Sequence, residues 1–356
     1  MDESTKRPTT CELLARLREK HKASRKTMHP STVPPTSRLH HRVPRIHASN
    51  RTGILKCMLN NEPYLLTGPV TERWGVMKHC KTGDASELEG VSQALVERFG
   101  DDKEVPVVIC SANSSYDKPL LRVKAKSTTE RIGVFLRALQ ASPHEGGDHG
   151  ASARYLKDFH FAKEVLGPPG NLYSVPWAFK DDWLQWWFQC GAAPDDYRFL
   201  YAGSDKTWTP MHHDVIFSNS WSINLVGRKR WILFHPRFTS ALHSQPGGAL
   251  VADVRHLLAR HAQEYGEMVS EVGSLSEGRE LDEKISENGL TGALRDAIVL
   301  DQEPGEALFV PSGWHHQVRL FAWVNTDTAL LHLLHNEVTP CFLLVTRWKT
   351  LSPRSA

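Results

Sequence analysis

Two histidine-containing segments, about a hundred residues apart, most constrain what this chain can fold into. The first reads Thr-Pro-Met-His-His-Asp and contains His212 and Asp214. The second reads Phe-Val-Pro-Ser-Gly-Trp-His-His-Gln-Val and contains His315 and His316. Residues i and i+2 of a strand point to the same face, so His212 and Asp214 can hold one ion while His213 points away. A metal site then requires the two segments to meet in the fold.

The residue types in these segments suit a metal centre, but they do not fix its metal. Two imidazoles and one carboxylate occupy one face of an octahedral ion and leave the other open, as in non-haem Fe(II) oxygenases. The same ligands also suit a catalytic zinc ion in a hydrolase. The H-x-D pattern is short and the chain has 19 histidines, so packing or surface histidines without a metal are a third interpretation.

Strand and turn patterns surround both segments. After Asp214, an alternating stretch, a glycine and an apolar stretch that ends at Pro236 predict a β-hairpin. Another strand is predicted from Glu306 to Val310, before a Pro-Ser-Gly turn. Strands separated by turns, with ligands at their ends, are typical of a small barrel or jelly roll. The predicted fold is therefore mainly β with flanking helices, a double-stranded β-helix of the cupin type.

These motifs resemble the Jumonji C family of 2-oxoglutarate-dependent oxygenases. The series is Thr-x-x-His-x-Asp from Thr209, Trp-Ser-x-Asn-x-x-Gly-Arg-Lys-x-Trp from Trp221, and Phe-Val-Pro-Ser-Gly-Trp-x-His-Gln-Val from Phe309. Further segments resemble one branch of that family; they lie at residues 43–46, 61–66, 155–160, 181–184 and 195–199. The resemblance covers roughly residues 43–240 and 300–320.

The resemblance implies which residues bind the metal. His212 and Asp214 match the first two iron ligands of the family. The distal ligand of the family is the fifth residue after the proline that ends the preceding strand, and counting from Pro311 gives His316. His315 then takes the place of an aromatic packing residue beside the site. No catalytic side chain beyond the metal centre is expected.

The resemblance also implies a cosubstrate site. Thr209 and Lys229 match the residues that bind 2-oxoglutarate, with Lys229 as the charge partner of its distal carboxylate. Tyr155 matches a tyrosine that often touches the cosubstrate, although a strand tyrosine is as often a core or rim residue. Ser222 stands where many family members carry a binding asparagine, and Asn224, two residues on, is the candidate to compensate.

The expected activity follows from the same resemblance. It implies an enzyme that uses Fe(II), 2-oxoglutarate and O2 to hydroxylate a protein. The branch implies a lysine of the eukaryotic peptide-chain release factor as the substrate. A histone or protein lysine demethylase, and a catalytically impaired binding module, stay open as alternatives.

Segment composition predicts the domain organisation. Residues 1–42 are basic and rich in Ser, Thr and Pro, which is typical of a disordered tail. The resemblance implies an oxygenase domain over residues 43–320, and a charged, helical pattern predicts an insertion in it at about 245–295. Residues 321–356 diverge from the family, so an irregular closing strand or an open sheet edge is expected there. Within the domain, helices are predicted at 84–99 and 179–190.

Charge and cysteine usage favour an intracellular protein. The net charge is only +3, so direct binding to nucleic acid is not expected. The six cysteines match no disulfide framework or zinc motif, which favours a reducing compartment. The sequence has neither a signal-like segment nor a long apolar run, so we expect no membrane association and a cytoplasmic or nuclear location, or both.

Overall fold

Runs of apolar and β-branched residues form most of the regular structure of this chain, and glycine or proline turns end many of them. A computed structural model describes residues 43–80, 86–110, 126–140, 153–160, 172–204, 207–243, 249–255, 290–321 and 341–348. The described residues form thirteen strands and five α-helices. All of them lie within one unit that extends from Arg42 to Thr350.

The strands in chain order are β1 Arg45–His47, β2 Tyr64–Thr67, β3 Glu104–Cys110, β4 Lys126–Arg131, β5 Ala153–His160, β6 Arg198–Gly203, β7 Trp208–His212, β8 Asn219–Val226, β9 Arg228–Phe234, β10 Ile298–Gln302, β11 Ala307–Val310, β12 His315–Phe321 and β13 Cys341–Trp348. The helices are α1 Arg51–Asn60, α2 Ser86–Phe99, α3 Ile132–Gln140, α4 Trp183–Gln189 and α5 Leu290–Arg295. Among the described residues, no helix is long and apolar enough to cross a membrane.

These strands build two sheets. The larger sheet has nine strands in the order β1-β2-β11-β8-β13-β6-β5-β3-β4, and the smaller has four in the order β10-β9-β12-β7. Neighbouring strands are antiparallel, except for β1 and β2. From β6 to β9 and again from β10 to β13, consecutive strands alternate between the two sheets, as in a jelly roll. The predicted double-stranded β-helix is confirmed.

Alternation along the strands divides the core into layers. On β9, Trp231 and Leu233 belong to an inner cluster that also contains Leu308 of β11, in the larger sheet. The intervening residues Ile232 and Phe234 belong to a separate cluster on the outer face of the smaller sheet. Both faces are buried in the second half of β9 and throughout β11, and these stretches, Trp231–Phe234 and Ala307–Val310, are continuous apolar runs. The predicted metal ligand His316 lies opposite Leu233 and so faces the inner layer.

The predicted hairpin after Asp214 is wrong. Strands β8 and β9 are connected through Gly227 alone, yet β8 pairs with β11 and β13, while β9 pairs with β10 and β12. A two-residue turn would let the strands pair, whereas one glycine with φ of 75° sends the chain from one sheet into the other. All eight residues of β8 are buried, as in a central strand rather than a half-exposed hairpin arm.

The C-terminal segment contributes a strand to the larger sheet. Strand β13 lies between β6 and β8 and pairs with both, with a register irregularity between Phe342 and Leu343. The larger sheet therefore has no open edge at this position. The predicted disordered tail at residues 1–42 lies outside the described residues, as does most of the predicted insertion; residues 249–255 and helix α5 are its described parts.

The two predicted helices are both present but begin later in the chain. Helix α2 spans Ser86–Phe99. Helix α4 spans Trp183–Gln189 and begins at the N-cap Asp182, whose carboxylate accepts a hydrogen bond from the Gln185 backbone N–H at 2.9 Å. In a helix that started at Phe179, the Gln185 N–H would donate to a backbone carbonyl instead of to this capping carboxylate. A separate 3-10 turn, Trp177–Phe179, precedes it.

Candidate metal centre

A β-bulge in strand β7 places the first ligand segment. His212 lies opposite His316, and Thr209 lies opposite Val318, so three steps on β7 correspond to two on β12. In a regular strand Thr209 and His212 would face opposite sides, because their separation is odd. The extra residue in β7 offsets this odd separation, so that the side chains of Thr209 and His212 both face the inner layer. Pro210 fits here because β7 is the edge strand of the smaller sheet.

The structure brings together the three residues predicted to bind metal. Candidate ligand atoms of His212, Asp214 and His316 all lie within 4.8 Å of one another. The rings of His212 and His316 lie 4.2 Å apart between centroids. Strand β7 ends at His212, two residues before Asp214, but Asp214 has extended backbone angles. Its carboxylate, which is buried, therefore still points towards the two rings.

Backbone carbonyls fix which nitrogen of each imidazole is available. The Nδ1 atom of His212 lies 2.8 Å from the Pro210 carbonyl oxygen, and that of His316 lies 3.3 Å from the Trp314 carbonyl oxygen. A carbonyl only accepts, so each Nδ1 carries a proton, and Nε2 is the nitrogen left to bind a metal. Metal-binding histidines in proteins are usually oriented in this way.

Two neighbouring histidines face away from this group. His315 is buried on the outer face of the smaller sheet, where its ring contacts that of His213 at 5.1 Å between centroids. Burial, followed by the nearby His213, His316 and His243, lowers the pKa of His315 to about 4. His315 is therefore neutral at physiological pH and packs as an aromatic residue. This placement agrees with the count from Pro311 that selected His316.

Lys229 lies on the inner face of β9 and is fully buried. Its flanking residues Arg228 and Arg230 face the opposite side, where both contact Asp301. The Nζ atom of Lys229 lies 5.8 Å from the centre of the Trp231 ring, which in turn lies 5.6 Å from the His316 ring. A buried ammonium group is costly unless it meets an anion or other polar groups. The Trp231 ring thus connects the Lys229 ammonium group to His316, one of the three candidate ligands.

Thr209 and Tyr155 connect the two sheets beside Lys229. Tyr155 lies on β5 of the larger sheet, Thr209 on β7 of the smaller, and their hydroxyl oxygens are 3.1 Å apart. Lys229 on β9 lies opposite Leu320 on β12, and Leu320 packs in one cluster with Tyr155. The two predicted cosubstrate contacts are therefore neighbours of each other, and Tyr155 packs against the residue that lies opposite the lysine.

Ser222 and Asn224 occupy different environments. The Asn224 amide donates to the carbonyls of Gly227 and Gln302, at 2.6 and 3.3 Å, so its hydrogen bonds hold the β8–β9 connection. The hydroxyl of Ser222 is buried and has no hydrogen-bond partner within the described part of the chain. Ser222 is thus the more plausible of the two to meet a bound ligand, and both binding roles stay predictions.

An exposed apolar turn follows Asp214, and sequence reasoning missed it. Val215, Ile216 and Phe217 are 44%, 45% and 61% exposed. Ile216 and Phe217 have φ of 59° and 48°, and Ser218 N–H donates to the Val215 carbonyl at 3.1 Å, as in a type I′ turn. Left-handed backbone costs a non-glycine residue about 1–2 kcal/mol. Three apolar residues in a row directly after the predicted ligand Asp214 were the available signal.

A second group of candidate ligands lies at the end of β5. His160 Nδ1 is 3.1 Å from Asp195 Oδ1 and 3.4 Å from Asp196 Oδ1. Asp196 Oδ1 also accepts a hydrogen bond from the Arg198 backbone N–H at 3.0 Å. The hydrogen bond with Asp196 raises the pKa of His160. A protonated Nδ1 donates and cannot bind a metal, so this group is an ion-pair network that holds strand β5 to the 195–196 loop.

The residues present fit iron and 2-oxoglutarate. Two imidazoles whose Nδ1 atoms are held by carbonyls and one buried carboxylate suit a divalent transition metal. The buried Lys229 suits an anionic ligand beside that metal. The buried Ser222 hydroxyl, which has no hydrogen-bond partner within the described residues, suits a polar one. His212, Asp214 and His316 would hold the metal, and Lys229, Thr209, Tyr155 and Ser222 surround the neighbouring space.

Comparison with known proteins places the chain in a family. Residues 51–341 match the family model described as "Cupin-like domain". That match covers most of the chain, and so the chain belongs to the Cupin-like domain family. The fold and the predicted resemblance to Jumonji C proteins agree with this assignment.

Individual relatives specify the branch. The chain is 31% identical over 290 residues to "2-oxoglutarate and iron-dependent oxygenase JMJD4" of Mus musculus, covering 80% of this chain and 57% of that protein. It is 34% identical over 182 residues to "Arginine-specific demethylase JMJ20" of Arabidopsis thaliana, covering 47% and 33%. It is 29% identical over 250 residues to "Bifunctional arginine demethylase and lysyl-hydroxylase psr-1" of Caenorhabditis elegans, covering 63% and 55%. The predicted resemblance to Jumonji domain-containing protein 4 is confirmed, and the chain spans less than two thirds of each relative.

Proposed function

We propose that this chain is an Fe(II)- and 2-oxoglutarate-dependent oxygenase that hydroxylates a lysine of a protein substrate. The observation that carries the proposal is the group of His212, Asp214 and His316, with both Nδ1 atoms tied to carbonyls, beside the buried Lys229. A zinc hydrolase has no use for a buried cation next to the metal, whereas an anionic oxoacid needs one. The name of the mouse relative supports the same cofactors.

Each part of the chain contributes a separate task. When bound, iron and 2-oxoglutarate supply the oxidising power by which O2 hydroxylates a C–H bond. His212, Asp214 and His316 hold the metal and leave one of its faces open. Lys229 neutralises a carboxylate of the cosubstrate, and Thr209 and Tyr155 offer it hydroxyl hydrogen bonds. The inner cluster that contains Trp231, together with Leu320, excludes water from the site.

The proposed substrate is a protein lysine, and the first candidate is the eukaryotic peptide-chain release factor. The name of the nematode relative includes lysyl hydroxylation, which supports this reaction. The release factor itself rests on the resemblance to the Jumonji domain-containing protein 4 branch.

The test is succinate formation by the purified chain with iron, 2-oxoglutarate and candidate substrate, together with mass spectrometry of the substrate. We expect succinate and a substrate that gains one oxygen atom. The variants His212→Ala, Asp214→Ala and His316→Ala should each lose iron retention and all turnover, because each removes a ligand of the metal. The matched control is His315→Ala, which should retain iron because that ring faces away from the group.

Two outcomes would contradict this assignment. Iron content and succinate formation that survive loss of any of the three residues would show that the site lies elsewhere. Iron loss in His315→Ala but not in His316→Ala would show that the distal ligand is the other histidine. Iron binding without succinate would instead favour the catalytically impaired binding module.

Demethylation of a protein is the second candidate. The names of the plant and nematode relatives both include arginine demethylation, which makes arginine the first side chain to test. Demethylation removes a methyl group from the substrate and releases it as formaldehyde, whereas hydroxylation adds an oxygen atom and releases no formaldehyde. The same mass-spectrometric assay on methyl-arginine and methyl-lysine peptides therefore distinguishes the reactions.

A further inference from the structure

The turn Val215–Phe217 is the apolar surface that lies nearest in the chain to the proposed metal ligands. It begins at the residue after Asp214, so the backbone between that ligand and the last residue of the turn can span at most about 11 Å. All three are large and apolar, and all three are exposed to solvent. A contiguous exposed apolar patch on a folded protein usually marks a site of interaction.

The conformation of the turn indicates that its residues are kept for a function. Type I′ turns select Asn and Gly, because both central residues need positive φ. Here the central residues are Ile216 and Phe217, and a β-branched residue such as Ile216 rarely adopts such a backbone. Burial does not offset the strain, because both side chains face solvent. Strained residues that persist without a packing reason are concentrated at binding and catalytic sites.

Contacts from both ligand segments hold this turn in place. The Ser312 hydroxyl donates to the Phe217 carbonyl at 2.6 Å, and the Ser312 backbone N–H donates to Asn219 Oδ1 at 2.8 Å. The Phe217 ring stacks on that of His213, with centroids 4.6 Å apart and an angle of 11° between the planes. Ser312 belongs to the turn before the distal histidine, and His213 lies between the other two ligands. The apolar side chains thus form a fixed ledge beside the site.

We propose that this ledge binds an apolar side chain of the polypeptide substrate, close in sequence to the residue that is modified. The proposal rests on the proposed function and adds a rule for which sequences are accepted. Its occupant is the substrate because the turn continues directly from Asp214, so a chain seated on it also reaches the metal. A second copy of this protein bound there would cover the site that the substrate has to enter.

A turn-preserving double variant tests the proposal. Ile216→Asn with Phe217→Gly installs the residues that a type I′ turn prefers and removes both apolar side chains. The matched control is Val134→Asn, which removes an exposed apolar side chain from helix α3, next to the far edge of the larger sheet. The substrates are lysine-centred peptides in which each flanking position is varied among Leu, Phe, Ser and Asp. Hydroxylation is read by mass spectrometry, and peptide binding by fluorescence anisotropy.

The expected result has three parts. The wild-type protein and Val134→Asn prefer Leu or Phe at one flanking position. The double variant loses that preference, with KM and the anisotropy Kd for the preferred peptide raised roughly tenfold, as expected for one lost apolar contact, while kcat changes less than twofold. The strain relieved by the new turn residues offsets the lost stacking of Phe217 on His213, so its melting temperature stays close to that of the wild-type protein. A fall in affinity therefore cannot be attributed to unfolding.

The failures of the two proposals are distinguishable. If the wild-type protein hydroxylates peptides without an apolar preference, or if the double variant keeps that preference, the ledge does not read the substrate and the oxygenase assignment stands. If no peptide is hydroxylated and none stimulates succinate formation, the assignment as a protein hydroxylase fails and the ledge proposal fails with it. A wild-type protein that forms dimers through this turn, which the double variant abolishes, would make a second copy the occupant.

Discussion

Neighbouring side chains of the same type have opposite roles at the residue scale. His315 and His316 differ by one position on β12, yet one packs on the outer face and the other faces the metal group. Lys229 likewise points inward, while Arg228 and Arg230 on either side point to Asp301. Strand alternation sends adjacent side chains to opposite faces, so packing or ion-pair residues and candidate site residues share one short segment.

Removing Lys229 should weaken cosubstrate binding without removing the metal. In Lys229→Ala an anionic carboxylate loses its charge partner, and such a charged hydrogen bond is typically worth about 1.5–3 kcal/mol, or roughly ten- to hundredfold in affinity. We expect the 2-oxoglutarate Kd, measured by calorimetry, to rise by that factor, with iron content near normal. Arg228→Ala is the control and should leave the Kd unchanged. An unaltered Kd in Lys229→Ala would exclude this lysine from the site.

His160 should make the stability of the fold depend on pH. Its contact with Asp196 raises the pKa of His160 above the ordinary value of 6.5. A raised pKa in the folded state means that the contact stabilises the fold fully below pH 6.5 and that this contribution is lost as pH rises through the folded pKa. We expect urea unfolding to show a free energy that falls over this window in the wild-type protein.

The variant His160→Gln should lack that fall, because glutamine is neutral at every pH in the range. His47→Gln is the control, since His47 is an exposed histidine whose ring contacts Ser49 rather than a carboxylate. Equal pH dependence in wild-type protein and His160→Gln would show that the ion pair contributes nothing measurable to stability.

At the element scale, irregular strands position the site. The bulge in β7 turns Thr209 and His212 to the same side despite their odd spacing. The single-residue connection at Gly227 sends β8 and β9 into different sheets, which places Ser222 and Lys229 on facing walls of the inner layer. Regular strands joined by a hairpin would have put these residues on one sheet. The departures from regular geometry are therefore what bring the site together.

Variants of Asn224 and Ser222 should distinguish an effect on stability from an effect on ligand binding. Asn224→Ala leaves the carbonyls of Gly227 and Gln302 without their donor, and we expect it to lower the unfolding free energy by about 1–3 kcal/mol. Ser222→Ala removes a hydroxyl that has no partner among the described residues, so stability should change little while the 2-oxoglutarate Kd rises. Chemical denaturation and calorimetry on both variants check this. A loss of stability in Ser222→Ala together with a raised 2-oxoglutarate Kd in Asn224→Ala would exchange the two roles.

At the scale of the whole molecule, strand β13 completes the larger sheet. It connects β8, which lines the site, to β6 and the strands beyond it. A sheet without this strand would split into two parts, each with an exposed edge. The divergent C-terminal sequence still supplies the hydrogen-bonding ladder, because backbone pairing tolerates side-chain patterns that differ from those of the family. The site on the facing sheet is thus backed by a continuous wall.

Interrupting β13 should loosen the site from a distance. Leu344→Pro removes a backbone donor from a strand that is paired on both sides, with Leu200 and Ile223 opposite. We expect lower iron retention and faster amide exchange in β11 and β12, measured by hydrogen exchange with mass spectrometry. Leu344→Ala keeps the N–H group and separates the loss of the side chain from the loss of the ladder. Unchanged exchange in Leu344→Pro would show that this strand does not support the site.

The sequence alone identified the residues whose spacing is set by local backbone geometry. Strand alternation predicted the pairing of His212 with Asp214, and the strand and turn pattern predicted the cupin type of fold, whereas the count from Pro311 to His316 and the choice of Lys229 followed from motifs shared with the Jumonji C family. These features depend on residues that are near one another in the chain. A motif therefore specifies them before any tertiary contact exists.

Only the tertiary structure decided which strands pair and which side chains meet across the sheets. The opposite sheets of β8 and β9, the hydrogen bond between Tyr155 and Thr209, the contact of His160 with Asp196 and the exposed strained turn after Asp214 were not predictable. Pairing across dozens of residues depends on how whole faces pack, and many pairings share the same local pattern. The physical reason is that local sequence sets the direction of each side chain, whereas long-range packing selects what lies opposite it.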